Sequence, residues 1–293
     1  MTVALVTCSQ MPKPDLDEPF LRAALDEEGL DHEVVAWDDP DVDWSAYEVT
    51  VLRTPWDYTS RLDEFLPWVL RAHAAGHVIN PPKLIEWNHH KGYLFDLERA
   101  GVPIVPTRQV AHGAPFPYQR ASLRRVEGEV VIKPAIGIGA FGAARLESGS
   151  EEAFAHLEAL SLLGDVLIQP LVPSIETQGE VSLIHMGNQI VHAVRKVPAP
   201  GDFRVQDHHG GTVVEHEPTE AELAVAADAI REALNITGSG PMYYARVDLV
   251  DLDGPRVMEL ELIEPELFLR HSPRVATRFA DIIGRAIDIG KLR

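Results

Sequence analysis

The feature that most constrains this chain is a change of rhythm at Pro81-Pro82. Before it, short apolar runs alternate with helix-like segments. Val3–Thr7 reads as a buried strand and Glu18–Glu28 as a helix stopped by Gly29. His32–Trp37 and Val49–Leu52 are further strands, and Leu62, Phe65, Leu66, Val69 and Leu70 mark a second helix ending at Gly76. With His77–Ile79 as one more short strand, this alternation predicts a parallel sheet with helices on its faces.

After the break the order changes. Lys83–Ala100 is one long helical pattern closed by Gly101, and Val130–Lys133 is a strand entering a glycine-rich loop. Glu151–Leu163 reads as a helix and Val166–Gln169 as a strand stopped by Pro170. Then come a hairpin (Val181–Met186 and Gln189–Val194 over Gly187-Asn188), a helix at Glu220–Leu234, strands at Ala245–Leu249 and Arg256–Leu262, and a closing helix at Pro273–Ile287. Length alone, at about 150 residues per domain, suggests two domains. The pattern divides instead into three lobes, 1–85, 86–170 and 171–293, with linkers near 82–88 and 169–172.

Charge removes whole classes of function. With 26 Lys+Arg against 45 Asp+Glu the net charge is −19, a poor match to nucleic-acid phosphates or anionic membrane surfaces. The single cysteine, Cys8, excludes an internal disulfide and a cysteine-based zinc cluster. Met1–Cys8 lacks the basic start of a signal peptide, and no stretch approaches the ~20 apolar residues of a membrane span. A soluble, cytoplasmic protein is expected.

Two constellations carry chemistry. Gly137-Ile138-Gly139-Ala140-Phe141-Gly142 matches the dinucleotide fingerprint literally, but Ala143–Leu146 runs into Glu147-Ser148-Gly149-Ser150, which does not continue the required helix. What remains is a glycine loop after a strand ending in Lys133. Glycines let backbone N–H groups approach phosphate oxygens, and the lysine adds positive charge. The second constellation is Arg246-Val247-Asp248 with Glu259-Leu260-Glu261. The i, i+2 spacing puts Glu259 and Glu261 on one face of a strand. With Asp248 on the neighbouring strand they offer three hard oxygens suited to Mg²⁺. Carboxylates so dense repel one another unless something cationic sits among them. Histidines 89-90 and 208-209 form adjacent pairs without zinc-ligand spacing.

The order of these pieces resembles the ATP-grasp superfamily, most similar to D-alanine–D-alanine ligase and glutathione synthetase. The resemblance implies an α+β, three-lobed ATP-grasp fold with an N-terminal Rossmann-like α/β lobe. It implies ATP and Mg²⁺ as cofactors and a small amino-acid-like substrate, activated as an acylphosphate and attacked by an amine-type nucleophile. Lys91 and Lys133 resemble the two nucleotide-binding lysines, with Gly137, Gly139 and Gly142 in the phosphate-covering loop. Gln169 and Leu171 fall at the adenine hinge, where their backbone groups would meet the base, and Glu180 at the ribose-binding position. Arg246 resembles the catalytic arginine, and Asp248, Glu259 and Glu261 the metal ligands, although many members carry Asn at the last. Phe203-Arg204 and Gly210-Gly211 are similar to a glutathione synthetase pattern from which Asp207-His208-His209 departs; Arg204 or Arg270 would hold the reacting carboxylate.

The resemblance places the substrate in the first lobe, near Arg53–Tyr58. That segment and Asn88–Leu94 look similar to the ring-closing ligases of cycloserine assembly, whose substrate is O-ureido-D-serine. A dipeptide-type ligase, an NAD-dependent oxidoreductase and a non-catalytic nucleotide-binding protein are the alternatives. A homo-oligomer is compatible with all of these readings.

Overall fold

The computed structural model describes residues 2–11, 15–206 and 209–290. The apolar run at the start becomes β1 (Thr2–Thr7), an inner strand of a parallel sheet. α1 (Glu18–Glu27), β2 (Asp31–Ala36), β3 (Val49–Thr54), α2 (Leu62–Ala75) and β4 (His77–Ile79) follow. The strand order is β2-β1-β3-β4, parallel throughout. One face, carrying Val6, Cys8 and Leu52, packs against Phe65, Trp68 and Val69 of α2. The other, carrying Val3, Leu5, Val49 and Val51, packs against Leu21 and Leu25 of α1.

The expected long helix is two helices, α3 (Pro82–Asn88) and α4 (Tyr93–Arg99). Side chains divert the backbone between them. His89 Nδ1 lies 2.6 Å from the Glu86 carbonyl and His90 Nδ1 accepts the Gly92 N–H at 2.9 Å, bonds that compete with the helical ladder. α3 also occupies the expected linker at 82–88, with Leu84 and Ile85 fully buried.

β5 (Arg108–Val110), α5 (Phe116–Leu123), β6 (Glu129–Pro134), β7 (Ala144–Glu147), α6 (Glu151–Ser161) and β8 (Val166–Pro170) form a second sheet, antiparallel in the order β5-β8-β6-β7. The glycine loop joins β6 to β7 and opens no helix, so it is no dinucleotide fingerprint.

After the short α7 (Ser174–Thr177), the third sheet contains β9 (Glu180–Met186), β10 (Gln189–Val197), β11 (Thr212–Glu215), β12 (Tyr244–Asp251) and β13 (Pro255–Glu261). Its order is β11-β10-β9-β12-β13, all antiparallel. Between β11 and β12, α8 (Glu220–Thr237) starts at a Thr219–Glu222 capping box and runs past the expected Leu234, ending where Gly238 takes φ +57°. The last helix, α9 (Pro273–Gly290), returns to the first sheet, burying Phe279, Ile283 and Ile287 against the α1 side. Asp207 and His208 lie outside the described residues. Among the described residues no helix is long and apolar enough to cross a membrane.

Buried amides seat the first sheet on the third. Asn80 Nδ2 donates to the carbonyls of Tyr244 (2.7 Å) and Leu262 (2.8 Å), while its Oδ1 accepts the Tyr243 N–H at 2.7 Å. Asn88 bridges Leu260 and Leu262 in the same way, at 2.8 Å each. Each amide satisfies backbone groups that would otherwise be orphaned in the interior. The carboxyl ends of β3 and β4 therefore abut β12 and β13.

Candidate active site

The site grows from the pairing of β12 with β13. The register sets Arg246 opposite Glu261 and Asp248 opposite Glu259. Carboxylate oxygens of Asp248, Glu259 and Glu261 all lie within 4.8 Å of one another. Alternate residues Val247, Leu249, Leu260 and Leu262 point into the core beneath α8, which fixes the polar set on the opposite face.

Cations from four directions meet these acids. Arg246 Nε reaches both oxygens of Asp248 (3.0 and 3.1 Å), and its Nη2 contacts Asp248 at 2.9 Å and also bonds Glu261. Lys91 Nζ lies 3.0 Å from Glu259 and donates to the Gly137 carbonyl at 2.6 Å. Lys91 reaches this point because α3 and α4 separate around it; its own N–H donates to the Ala135 carbonyl at 2.8 Å. Lys133, at the end of β6, places Nζ 3.9 Å from Met258 Sδ. Lys196 on β10 pairs with Glu180 and lies 3.4 Å from Asp248. The repulsion expected among the carboxylates is thus answered by the chain's own cations.

Titration follows from this arrangement. Burial raises the Asp248 carboxyl, but the charges of Arg246 and Lys196 outweigh it and hold the group at about 2. Burial pushes Glu261 up to about 8, with Glu259 and Asp248 adding to the rise against the pull of Arg246. Burial likewise raises Glu264 to about 7 against a hydrogen bond from Tyr58 of the first lobe. Lys133 is held below the usual lysine range by burial, partly offset by Glu259.

The three carboxylates form a hard-oxygen set that fits Mg²⁺. Burial, with Glu259 and Asp248 beside it, disfavours the charged form of Glu261, and a divalent ion among the three carboxylates would favour it. Arg246 and Lys91 already engage these oxygens, so a bound ion shares them with the cations.

Not every expected residue converges. Gly139 and Gly142 sit in the loop with φ +58° and +72°, and the loop's Ile138 packs against the first-lobe cluster of Tyr58 and Phe65. Gln169 is buried on β8, its Nε2 donating to Thr107 Oγ1 at 2.9 Å. Leu171 requires a correction. Its N–H donates to the Glu129 carbonyl at 2.8 Å, extending the β6–β8 ladder, and is not free to meet a base edge. Glu180 faces Lys196 instead of open space. Arg204 is committed to Asp202, at 2.7 Å, and no contact among the described residues joins it to the carboxylates.

The sequence reading passed over Lys196, Ser182 (a hydrogen-bond donor to Asp248) and Glu264. The alternation of β9 gave a signal for Ser182, two residues from Glu180. Lys196 had none, because an even count out from the Gly187-Asn188 turn pairs Glu180 with Arg195. A bulge between Ile190 and His192 moves Lys196 there instead.

The fold and site define a class. Residues 118–267 match the prokaryotic glutathione synthetase ATP-grasp domain, and the chain belongs to the ATP-grasp family: it is an ATP-dependent ligase forming a C–N bond, with release of ADP and phosphate following the family mechanism. Within that family, residues 3–80 match the N-terminal domain of D-cycloserine synthetase DcsG. The chain is 35% identical to the cycloserine biosynthesis protein DcsG of Streptomyces lavendulae, over 97% of this chain and 98% of that one. The crystal structure of D-cycloserine synthetase DcsG superposes with a TM-score of 0.89 at 33% identity, covering 98% of this chain and 100% of that chain. The D-alanine–D-alanine ligase of Bacillus anthracis, solved with ATP, shares the fold at a TM-score of 0.70 and 14% identity over 100% of this chain and 99% of that chain.

Proposed function

We propose that this ligase closes a ring within one amino-acid derivative, converting O-ureido-D-serine to D-cycloserine. The observation that carries the reading is that the likeness to DcsG spans the whole chain, including the first lobe, and not only the half shared with glutathione synthetase. In this chemistry the γ-phosphoryl group passes to the substrate carboxylate. The oxygen-linked nitrogen of the ureido group then attacks the acylphosphate carbon; the C–N bond forms and phosphate leaves. Cycloserine lacks the carbamoyl group, so water must remove it as carbon dioxide and ammonia. A nucleophile tethered to the activated carbon gains the large effective molarity of an intramolecular reaction.

The buried cations support roles for each group. Lys91, Lys133 and the loop Gly137–Gly142 hold the nucleotide phosphates, and Arg246 stabilises charge developing during transfer. Gln169 would lie beside the base, and Glu180 would take the ribose. Asp248, Glu259 and Glu261 would hold Mg²⁺, which supplies charge neutralisation of the phosphates when bound. Arg204 and Arg270 are each engaged by carboxylates, Asp202 for the first and Asp17 with Glu266 for the second. Arg246 is engaged as well, by Asp248 and Glu261, but of the three it is the one that stands among the metal-ligand carboxylates, which favours it as the cation beside the reacting carboxylate. Lobes 1–85, 86–170 and 171–293 are part of the proposal, the middle one carrying Lys133 and the glycine loop.

The test is ADP release with Mg-ATP and O-ureido-D-serine alone, against single and paired standard amino acids. Release with the ureido compound alone is expected. Turnover only with two separate amino acids overturns the ring-closing reading and leaves the family assignment standing.

A further inference from the structure

Arg53 is a buried cation with spare donors among the described residues. It lies near the carboxyl end of β3, is 4% exposed, and donates a hydrogen bond from Nη1 to the Pro265 carbonyl at 3.2 Å. Its Nε is buried with no hydrogen-bond partner among the described residues. The nearest carboxylate, Asp15, stands 3.9 Å from Nη2, beyond hydrogen-bond reach. Both side chains line a small cleft, about the size of one water, with Leu5, Glu18, Leu21 and Thr54, at the carboxyl edge of a parallel sheet, where open α/β sheets take ligands. A buried guanidinium with spare donors is costly unless something accepts from it.

The neighbourhood also says how this cleft is tied to the carboxylate site. Arg53 holds the carbonyl of Pro265, and Arg246 holds that of Glu266, the next residue, at 3.3 Å. One guanidinium therefore belongs to the metal-ligand group and the other to the first lobe, on consecutive peptides.

We infer that Arg53 and Asp15 form the subsite for the terminal carbamoyl group of the substrate. This rests on the ring-closing reading above. The cleft is not a site for an anion, because Asp15 and Glu18 offset the arginine. Nor does Arg53 suit the α-ammonium group, since like charges repel. It needs a neutral acceptor. Apart from the reacting carboxylate, the carbamoyl oxygen is the strong acceptor on O-ureido-D-serine, and the adjoining NH₂ is a donor for Asp15 Oδ2, the Oδ1 already accepting the Asp17 N–H at 2.9 Å. Held there, the carbamoyl group fixes its attached nitrogen toward the carboxylate beside Arg246. The subsite thus selects a ureido substrate over an ordinary amino acid.

The experiment compares O-ureido-D-serine with its decarbamoylated analogue, O-amino-D-serine, measured as a substrate or as a competitive inhibitor. For R53Q and D15N, kcat/KM on the ureido compound should fall about 10- to 100-fold, through KM, while KM for ATP stays within about twofold. Affinity for the analogue should not change. R53K, which keeps a donor for Pro265, should fold as the wild type does in thermal melts and show the same selective loss to a smaller degree. Equal losses on both compounds, or none, overturn the subsite. Absence of wild-type turnover with O-ureido-D-serine overturns the ring-closing reading, and the subsite with it.

Discussion

Asp248 stands opposite Glu259 only because β13 carries a bulge at Met258. Counting evenly from the Asp251–Pro255 turn pairs Asp248 with Met258, which would turn Asp248 and Glu259 to opposite faces of the sheet. The register shifts between Asp248 and Leu249, and that one residue brings the carboxylates together.

The consequence for Asp248 is measurable. Its carboxylate balances Arg246 and Lys196, so Asp248→Asn leaves two buried cations short of a partner. Breaking a buried pair typically costs about 3–5 kcal/mol. Urea unfolding without metal should show a loss of that order, together with loss of turnover. A stability equal to or above wild type would mean that repulsion among the acids dominates.

Glu261 should behave in the opposite sense. Its carboxyl is raised from 4.5 to about 8 in the folded protein. A raised group stabilises the fold fully below the unfolded value, and that contribution is lost as pH rises through the folded one. Glu261→Gln should therefore gain on wild type in metal-free melts between about pH 4.5 and 8 and stay level above. For Asp248, lowered from 3.8 to about 2, the stabilisation is present above 3.8 and lost as pH falls toward 2. A wild type and Glu261→Gln whose melting curves track each other across pH 4.5–8 would refute the Glu261 assignment.

The lysines test the nucleotide site. Lys91→Ala and Lys133→Ala should each weaken ATP binding by about 10- to 100-fold, since charge-assisted contacts are worth about 1.5–3 kcal/mol. Titration calorimetry reads this directly. Unchanged affinity in both variants would remove them from the site.

The loop glycines are not equivalent. Gly142 has φ +72°, and a Cβ there would stand 3.0 Å from the Pro134 side chain. At Gly137 a Cβ would meet nothing nearer than 3.9 Å. Gly142→Ala should cost about 1–2 kcal/mol of loop conformation and raise KM for ATP, while Gly137→Ala should be nearly silent. Equal KM values for the two variants would refute this.

Much of the site was legible because it follows local periodicity. Glu259 and Glu261 share a face by the two-residue repeat of a strand, and Lys133 ends an apolar run whose next residues are glycines. The parallel character of the first sheet followed from alternating strands and helices. The break that presents Lys91 was not legible, because Lys83–Ala100 has helical periodicity throughout. The interruption depends on His89 and His90 bonding backbone groups.

The sequence by itself determined which residue types exist to bind phosphate and metal, and in what order along the chain. Tertiary structure alone decided which of them meet. Two bulges, each one residue wide, choose Lys196 over Arg195 beside Glu180 and set Asp248 against Glu259. α9 closes the first sheet from the far end of the chain, and Arg53 meets a carbonyl 212 residues away. A slip of one residue reverses every side chain of a strand, and contacts at such separations leave no periodic trace. The physical reason is that patterning reports the face of an element, whereas register and packing decide what that face confronts.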